Sequence, residues 1–176
     1  MGEINFGSFP RSGNHFVRAL ITKTLPNHQY NFLNHIAYYL NQKPNTFTTI
    51  RNPLDCVTSW IANSEDCRID RAEKTLEWYI NFYETVQSYK IPVISFTDLT
   101  NQPLQVVDYL CELFKFEKPL IRILELDETD PSTYAKTTNE IKNLFPNIQE
   151  DVIKASNYKS ASALFEGINK CSITTL

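Results

Sequence analysis

The side chains best suited to binding an anion lie together in one short segment, residues 8–16, which reads Ser-Phe-Pro-Arg-Ser-Gly-Asn-His-Phe. Arg11 contributes a fixed positive charge, and its forked donors fit the oxygens of a phosphate or sulfate. Gly13 allows the backbone to come close to a ligand. A helix that begins after it would direct free N–H groups and the positive end of its dipole at an anion. The segment therefore predicts an anion-binding loop.

This loop differs from the Walker A loop of nucleoside triphosphatases. Gly7 and Gly13 are six residues apart rather than five, and Asn14 stands where that motif requires lysine. An ordinary nucleoside triphosphatase is therefore disfavoured. A purely structural interpretation stays open, in which Ser12 and Asn14 do no more than cap a helix that follows a turn.

The elements that position this loop alternate between strand and helix. Composition and apolar spacing predict, in chain order, a strand at Ile4–Phe9, a helix from Asn14 up to Pro26, a short strand at Tyr30–His35, a strand at Thr46–Ile50, helices at Pro53–Asn63 and Ala72–Tyr89, a strand at Pro92–Phe96, a turn at Asp98–Asn101, and helices at Pro103–Phe114, Asn139–Phe145, Ile148–Ser156 and Ser160–Asn169. Gly7 indicates that another backbone or a ligand approaches the first strand. Asn52 is predicted to cap the helix that Pro53 begins.

Such alternation predicts right-handed crossovers onto a parallel sheet covered on both faces, which is a three-layer α/β/α fold. In open parallel sheets, ligands bind beyond the carboxyl ends of the strands. The segment 8–16 falls at such an end, so its position as well as its composition makes it a candidate site.

Segment 8–16 resembles the 5′-phosphosulfate loop of the sulfotransferases that use 3′-phosphoadenylyl sulfate (PAPS), a loop commonly written S-[FY]-P-[KR]-S-G-[TN]-[TS]-[WF]. Residues 50–60, Ile-Arg-Asn-Pro-Leu-Asp-Cys-Val-Thr-Ser-Trp, are similar to the family's 3′-phosphate motif, R-N-P-x-D-x-x-x-S. Residues 93–99, Val-Ile-Ser-Phe-Thr-Asp-Leu, are similar to its strand and E-D-L turn. Together these stretches extend the resemblance over residues 4–116.

The resemblance implies a central, mainly parallel sheet in a P-loop NTPase-like fold, and transfer of the sulfuryl group of PAPS to a hydroxyl or amine, with adenosine 3′,5′-bisphosphate (PAP) as product. It implies that Arg11 lies against the bridging and sulfuryl oxygens, and that Arg51 and Ser59 hold the 3′-phosphate. The other cofactor-binding residues that it implies are Ser12, Gly13, Asn14, His15 and Phe16. For Arg51 the alternative is a surface arginine that precedes a helix.

An acceptor must lose a proton, and members of this family commonly use a histidine or a glutamate located between the two phosphate motifs. His28 and His35 fall in that interval. His35 is the better match to the family's K-[ST]-H stretch, although Leu33 and Asn34 depart from it. The resemblance therefore implies His35 as the catalytic base, for which a pKa near neutrality is suitable; the alternative is a structural or surface histidine. His15 replaces the family's usual threonine or serine and is expected to bind the cofactor or contact the acceptor.

The C-terminal part of the chain lacks the R-K-G-x-x-G loop with which many relatives cover the adenine and the 3′-phosphate. The next glycine after Gly13 is Gly167, so this loop is either replaced, for example by Tyr134–Thr138, or missing. Two alternatives to a sulfotransferase therefore stay open. One is a non-catalytic PAP- or PAPS-binding module of the same fold, and the other is a nucleotide or small-molecule kinase, which the absent Walker lysine disfavours.

Composition limits the remaining options. The 176 residues fit one domain, 1–176, and the net charge of −3 lacks the basic excess typical of nucleic-acid binding. The spacing of the cysteines predicts no zinc site, and they are expected to be buried, reduced thiols. They are Cys56, Cys67, Cys111 and Cys171. Without a signal segment or an apolar run of about 20 residues, a cytoplasmic protein with no membrane or metal partner is expected. The acceptor, a small molecule, glycan or peptide, and the oligomeric state stay open.

Overall fold

A computed structural model describes residues 2–63, 69–120 and 147–169 of the chain. Four strands are present in these ranges: β1 (Glu3–Phe6), β2 (Gln29–Phe32), β3 (Thr46–Ile50) and β4 (Val93–Ser95). The same ranges contain eight helices: α1 (Asn14–Thr24), α2 (Ala37–Leu40), α3 (Pro53–Asn63), α4 (Ile69–Ser88), α5 (Phe96–Asn101), α6 (Pro103–Phe114), α7 (Ile148–Lys154) and α8 (Tyr158–Asn169). The helix predicted at Asn139–Phe145, the segment Tyr134–Thr138, Cys67 and Cys171 lie outside the described residues.

The four strands form one parallel sheet in the order β2-β1-β3-β4. Phe6 of β1 is paired with Phe32 of β2 on one side and with Phe47 of β3 on the other. The chain therefore leaves β1 in one direction and later returns to its opposite side. This reversal is the topological switch point of an open sheet, where the loops after two neighbouring strands diverge and leave a crevice.

Helices cover both faces of this sheet, consistent with the predicted three-layer α/β/α arrangement. One core cluster contains Phe6 and Phe47 with apolar residues of α1 and α6, and the other contains Ile50 with apolar residues of α3, α4, α7 and α8. All five residues of β3 are buried, as expected for a strand enclosed on both faces. Among the described residues, no helix has the length and apolar character needed to cross a membrane.

Local signals account for the start of the helix after β3. The side chain of Asn52 accepts a hydrogen bond from the N–H of Leu54 at 2.9 Å, and Pro53 is the first helical residue. This confirms the predicted cap. α6 also has the predicted bounds, with Pro103 in its first turn.

The first strand is shorter than predicted, since β1 ends at Phe6. At the next residue, Gly7, a Cβ atom would lie 2.8 Å from the carbonyl oxygen of Asn34. The expected close approach of another backbone to Gly7 is therefore confirmed. The short strand predicted at Tyr30–His35 exists as β2 and ends at Phe32.

The prediction of a turn at Asp98–Asn101 is wrong, because α5 begins at Phe96 directly after β4. The Ser95 hydroxyl accepts hydrogen bonds from the N–H groups of Thr97 and Asp98 at 3.1 and 3.3 Å. Serine is a strong N-cap and satisfies donors that would otherwise lack partners. This cap starts a helix where a turn was predicted.

Candidate anion-binding site

A pocket of about 310 Å³ opens at the carboxyl ends of β1 and β3. Seven of the nine predicted site residues line it: Arg11, Gly13, Asn14, His15, Phe16, His35 and Arg51. Pro10, Trp60 and Phe96 complete the described lining, which contains no aspartate or glutamate. The two predicted residues that do not line the pocket are Ser12 and Ser59, which are both buried.

The loop after β1 presents the beginning of α1 to this pocket. Gly13 is the N-cap residue with φ at 102°, and no side chain among the described residues caps the helix. The first helical hydrogen bond runs from the N–H of Val17 to the carbonyl of Gly13 at 2.9 Å. The N–H groups of the first turn therefore have no helical acceptor and are available to a ligand.

The capping alternative for Ser12 and Asn14 does not describe this helix. The Ser12 hydroxyl points into the protein and lies 3.4 Å from the hydroxyl of Tyr83. Asn14 is the first residue of α1, and its side-chain oxygen accepts a hydrogen bond from the hydroxyl of Ser8. Ser12 is fully buried and does not line the pocket, so its hydroxyl is not exposed to a ligand there.

Each of the two arginines is hydrogen-bonded to the segment that carries the other predicted subsite. The Nε of Arg11 donates a hydrogen bond to the Ser59 hydroxyl at 3.0 Å, and the Nη1 of Arg51 donates one to the carbonyl oxygen of Arg11 at 3.2 Å. Arg11 also has φ at 65°, a left-handed conformation that is unfavourable for a side-chain-bearing residue. The two subsites predicted from separate motifs are therefore parts of one interconnected site.

Burial and the proximity of a second positive charge both affect the pKa of Arg11. Its pKa is lowered, first because burial removes water from the guanidinium and second because Arg51 is close. The described residues that line the pocket include no aspartate or glutamate to compensate these charges. Two neighbouring guanidinium groups in such a lining favour an anionic ligand with at least one strongly charged group.

At the second turn an anion would depend on side chains more than on the helix. The N–H of Leu54 in the first turn of α3 already donates to the side chain of Asn52. Arg51 and the hydroxyl of Ser59 are then the donors predicted for this subsite. The two helix beginnings therefore differ: α1 is uncapped, whereas α3 is capped by its own asparagine.

Buried hydroxyl groups on α4 hold the strand ends beneath the pocket. The hydroxyl of Tyr79 donates to the carbonyl of Arg51 at 2.9 Å, and that of Tyr83 donates to the carbonyl of Thr49 at 2.8 Å. Thr49 in turn donates from its side chain to the carbonyl of Ser12 at 2.6 Å. Burial raises the pKa of both tyrosines well above the ordinary value, so both remain neutral donors at neutral pH.

His35 lines the pocket from the β2 side. Its Nδ1 lies 2.6 Å from the carbonyl oxygen of Ser8. A carbonyl oxygen only accepts, so Nδ1 carries the proton and Nε2 of the neutral ring is left as an acceptor. Burial lowers the pKa of His35, and the hydrogen bond to Ser8 opposes this effect only in part. The neutral, basic form is therefore favoured at neutral pH.

The structure separates the two histidines that the sequence offered as bases. His35 follows β2, whereas His28 precedes it and packs against Phe116 with ring centroids 4.4 Å apart. In a parallel sheet these positions lie at opposite ends of the strands. His28 is therefore remote from the pocket, and Asn34, with φ at 69°, turns the chain so that His35 reaches it.

Two further aromatic residues, Trp60 and Phe96, line the pocket, and sequence reasoning missed the role of Phe96. Trp60 follows Ser59 on α3 and packs edge-on against Trp78, with centroids 5.8 Å apart. Phe96 follows β4, and the guanidinium carbon of Arg51 lies 4.7 Å from the centre of its ring. A usable signal existed for Phe96, since it comes directly after a strand whose carboxyl end lies beside that of β3.

Other sequence-based expectations concern metals and thiols. Within the described ranges, no group of three or more His, Cys, Asp or Glu side chains is arranged to hold a metal ion. Cys56 and Cys111 are free and buried, as expected for structural thiols.

Comparison of the sequence with protein-family models and with curated proteins finds no match to either.

Proposed function

We propose that this protein is a sulfotransferase that moves the sulfuryl group of PAPS to a hydroxyl or amine acceptor, in a P-loop NTPase-like fold. The observation that carries the proposal is the convergence of Arg11 and Arg51 from the ends of two neighbouring strands on one pocket without acidic lining. PAPS has a 5′-phosphosulfate and a separate 3′-phosphate. Two positively charged subsites in one pocket are what such a cofactor requires.

The 5′-phosphosulfate is assigned to the turn after β1. The uncapped N–H groups at the beginning of α1 and the guanidinium of Arg11 would bind its oxygens, and Gly13 leaves room for the backbone to approach. During transfer, the acceptor oxygen or nitrogen forms a bond to sulfur while the bridging bond from sulfur to the 5′-phosphate oxygen breaks. The charge that develops on the departing phosphate oxygen is stabilised by the same donors.

The 3′-phosphate is assigned to Arg51 and Ser59. Arg51 lines the pocket. Ser59 is buried and would act through Arg11, since its hydroxyl accepts a hydrogen bond from the Nε of Arg11 at 3.0 Å. This hydrogen-bonded pair would connect the two charged groups of the cofactor.

The acceptor proton is assigned to Nε2 of His35. This nitrogen is left unprotonated when Nδ1 donates to Ser8, and burial keeps the ring neutral at neutral pH. A base fixed by a backbone carbonyl needs little reorganisation when the acceptor arrives. The proton passes from the acceptor to Nε2 as the bond to sulfur forms.

Equilibrium binding of PAP tests the proposal directly. Because Trp60 lines the pocket, its fluorescence should change on binding, and calorimetry gives an independent affinity. We expect PAP to bind at least tenfold more tightly than AMP, which lacks the 3′-phosphate. Tighter binding of ATP with magnesium than of PAP would instead favour the kinase alternative. A folded sample that binds no PAP would rule out the sulfotransferase.

A non-catalytic PAP- or PAPS-binding module is the second candidate. The glycine content of the chain favours this candidate. The next glycine after Gly13 is Gly167, so the chain lacks the R-K-G-x-x-G loop of the family that it resembles. Incubation with radiolabelled PAPS and a mixture of small-molecule, glycan and peptide acceptors separates the two candidates. A labelled product that depends on His35 supports the enzyme, whereas tight PAP binding without any product supports the module.

A further inference from the structure

We propose that Phe96 is a positioning residue for Arg51, and that its ring holds the Arg51 guanidinium at the subsite for the second anionic group of the ligand. The inference rests on the proposed function insofar as that group is the 3′-phosphate of PAPS. It adds a residue that follows β4 to a site otherwise built from residues that follow β1, β2 and β3.

The contacts of Phe96 support this role. The guanidinium carbon of Arg51 lies 4.7 Å from the centre of the ring, within the range of a cation–π interaction. The ring also contacts the loop after β1, since a Cβ atom on Gly13 would lie 2.9 Å from Cδ2 of Phe96. One ring therefore contacts both Gly13 and Arg51, and it also lines the pocket.

The other contacts of Arg51 leave its charged end in need of such support. Its Nη1 donates to the carbonyl of Arg11, and its own carbonyl accepts from Tyr79. The bond from Tyr79 fixes the backbone of Arg51, and the bond to the Arg11 carbonyl fixes one guanidinium nitrogen. Among the described residues, Phe96 is the one whose ring packs on the face of the guanidinium. A flat support leaves the edge of the guanidinium, which carries its donors, free for phosphate oxygens.

This geometry predicts a selective effect on ligand binding. Loss of the ring face would weaken the hold on a phosphate bound by Arg51, while a phosphate at the beginning of α1 would keep its donors. Phe96→Leu retains an apolar side chain against Gly13 and removes the ring, and Phe96→Tyr retains the ring. Phe114→Leu is the matched control, because Phe114 is also partly buried at the edge of the same core cluster as Phe96.

The experiment measures PAP and AMP affinities of the wild type and these variants. We expect Phe96→Leu to weaken PAP binding about three- to tenfold, as a cation–π interaction predicts, and AMP binding less than twofold. Phe96→Tyr should restore the PAP affinity, and Phe114→Leu should change neither. Equal weakening for both nucleotides, unchanged PAP binding, or failure of the tyrosine variant to rescue would overturn the proposal.

A second measurement needs no nucleotide and so distinguishes failure of this inference from failure of the proposed function. Urea unfolding of Phe96→Leu, Arg51→Met and the double variant gives the coupling between the two side chains. We expect Phe96→Leu to change the unfolding constant at least about threefold more when Arg51 is present than when it is replaced. Coupling between Phe96 and Arg51 in a protein that does not bind PAP would support the positioning role and exclude PAPS as the cofactor. Absence of coupling would exclude the positioning role, whichever nucleotide the protein binds.

Discussion

The side chain of Arg51 donates a hydrogen bond to the main-chain carbonyl of Arg11 at 3.2 Å, so the residue that follows β3 is tied to the backbone of the loop that follows β1. Arg11 returns the connection through Ser59 on the helix after β3. Each arginine thus contacts the segment that carries the other subsite. Substitution of either arginine should therefore affect both subsites.

Replacement of Arg51 by glutamine should weaken PAP binding about ten- to a hundredfold. A well-formed charge-assisted hydrogen bond contributes roughly 1.5–3 kcal/mol, and glutamine retains polarity without the charge. Calorimetric titration with PAP measures the effect. Arg18→Gln is the control, since Arg18 is an exposed arginine on α1, and it should leave the affinity unchanged within about twofold. Equal losses in the two variants would mean that only net charge matters.

Replacement of His35 by asparagine should abolish sulfuryl transfer while PAP binding stays within about twofold of the wild type. The imidazole is assigned to the acceptor proton and not to the cofactor. In the wild type, kcat/KM should fall on the acid side with a midpoint below the ordinary value of 6.5, because burial lowers the pKa of His35.

His28→Gln is the control for the preceding prediction, since His28 lies at the other end of the same strand beside Phe116. It should leave both the rate and its pH dependence unchanged. Transfer that survives in the His35 variant with an unaltered acid limb would show that another group accepts the proton.

The lowered pKa of His35 also predicts how stability depends on pH. The folded state favours the neutral ring, so between its lowered pKa and 6.5 it binds fewer protons than the unfolded state. The contribution of His35 to the free energy of unfolding should therefore be lost progressively as the pH falls from 7 through this interval. Urea unfolding at several pH values should show a weaker acid dependence for His35→Asn than for the wild type. Parallel curves would contradict the assignment.

Gly13→Ala should lower the free energy of unfolding by about 1–3 kcal/mol and weaken PAP binding. Gly13 has φ at 102°, and a Cβ atom there would lie 2.9 Å from the ring of Phe96, so the side chain meets both backbone strain and a clash. The same substitution at Gly167 in α8 meets no atom within 4 Å. It should raise stability by about 0.5–1 kcal/mol, and thermal or urea unfolding of the two variants should thus differ in sign.

Much of the fold follows from local signals in the sequence. Asn52 and Pro53 mark the start of α3, and the apolar spacing of α6 and the β-branched composition of β3 are visible without any tertiary information. The prediction of a turn at Asp98–Asn101 is wrong because Ser95 is a strong N-cap and starts a helix ahead of these residues. In that segment the helix-starting signal precedes the residues on which the turn prediction rested.

The composition of the site was predicted better than its connections. Arg11, Arg51 and His35 were identified from local motifs and do line one pocket. The inward orientation of Ser12 toward Tyr83 and the support of Arg51 by Phe96 are contacts between residues 71 and 45 positions apart. Such contacts depend on how the strands are ordered in the sheet, which no local pattern specifies.

The hydroxyl groups of Tyr79 and Tyr83 come from neighbouring turns of α4 and reach the main chain of β3 and of the residue after it. A long helix packed into the core opens as a cooperative unit. Backbone amides at the end of β3 should therefore exchange with solvent only when α4 detaches. In the folded protein, the two halves of the candidate anion-binding site would accordingly form and dissolve together, and partially assembled versions would be sparsely populated.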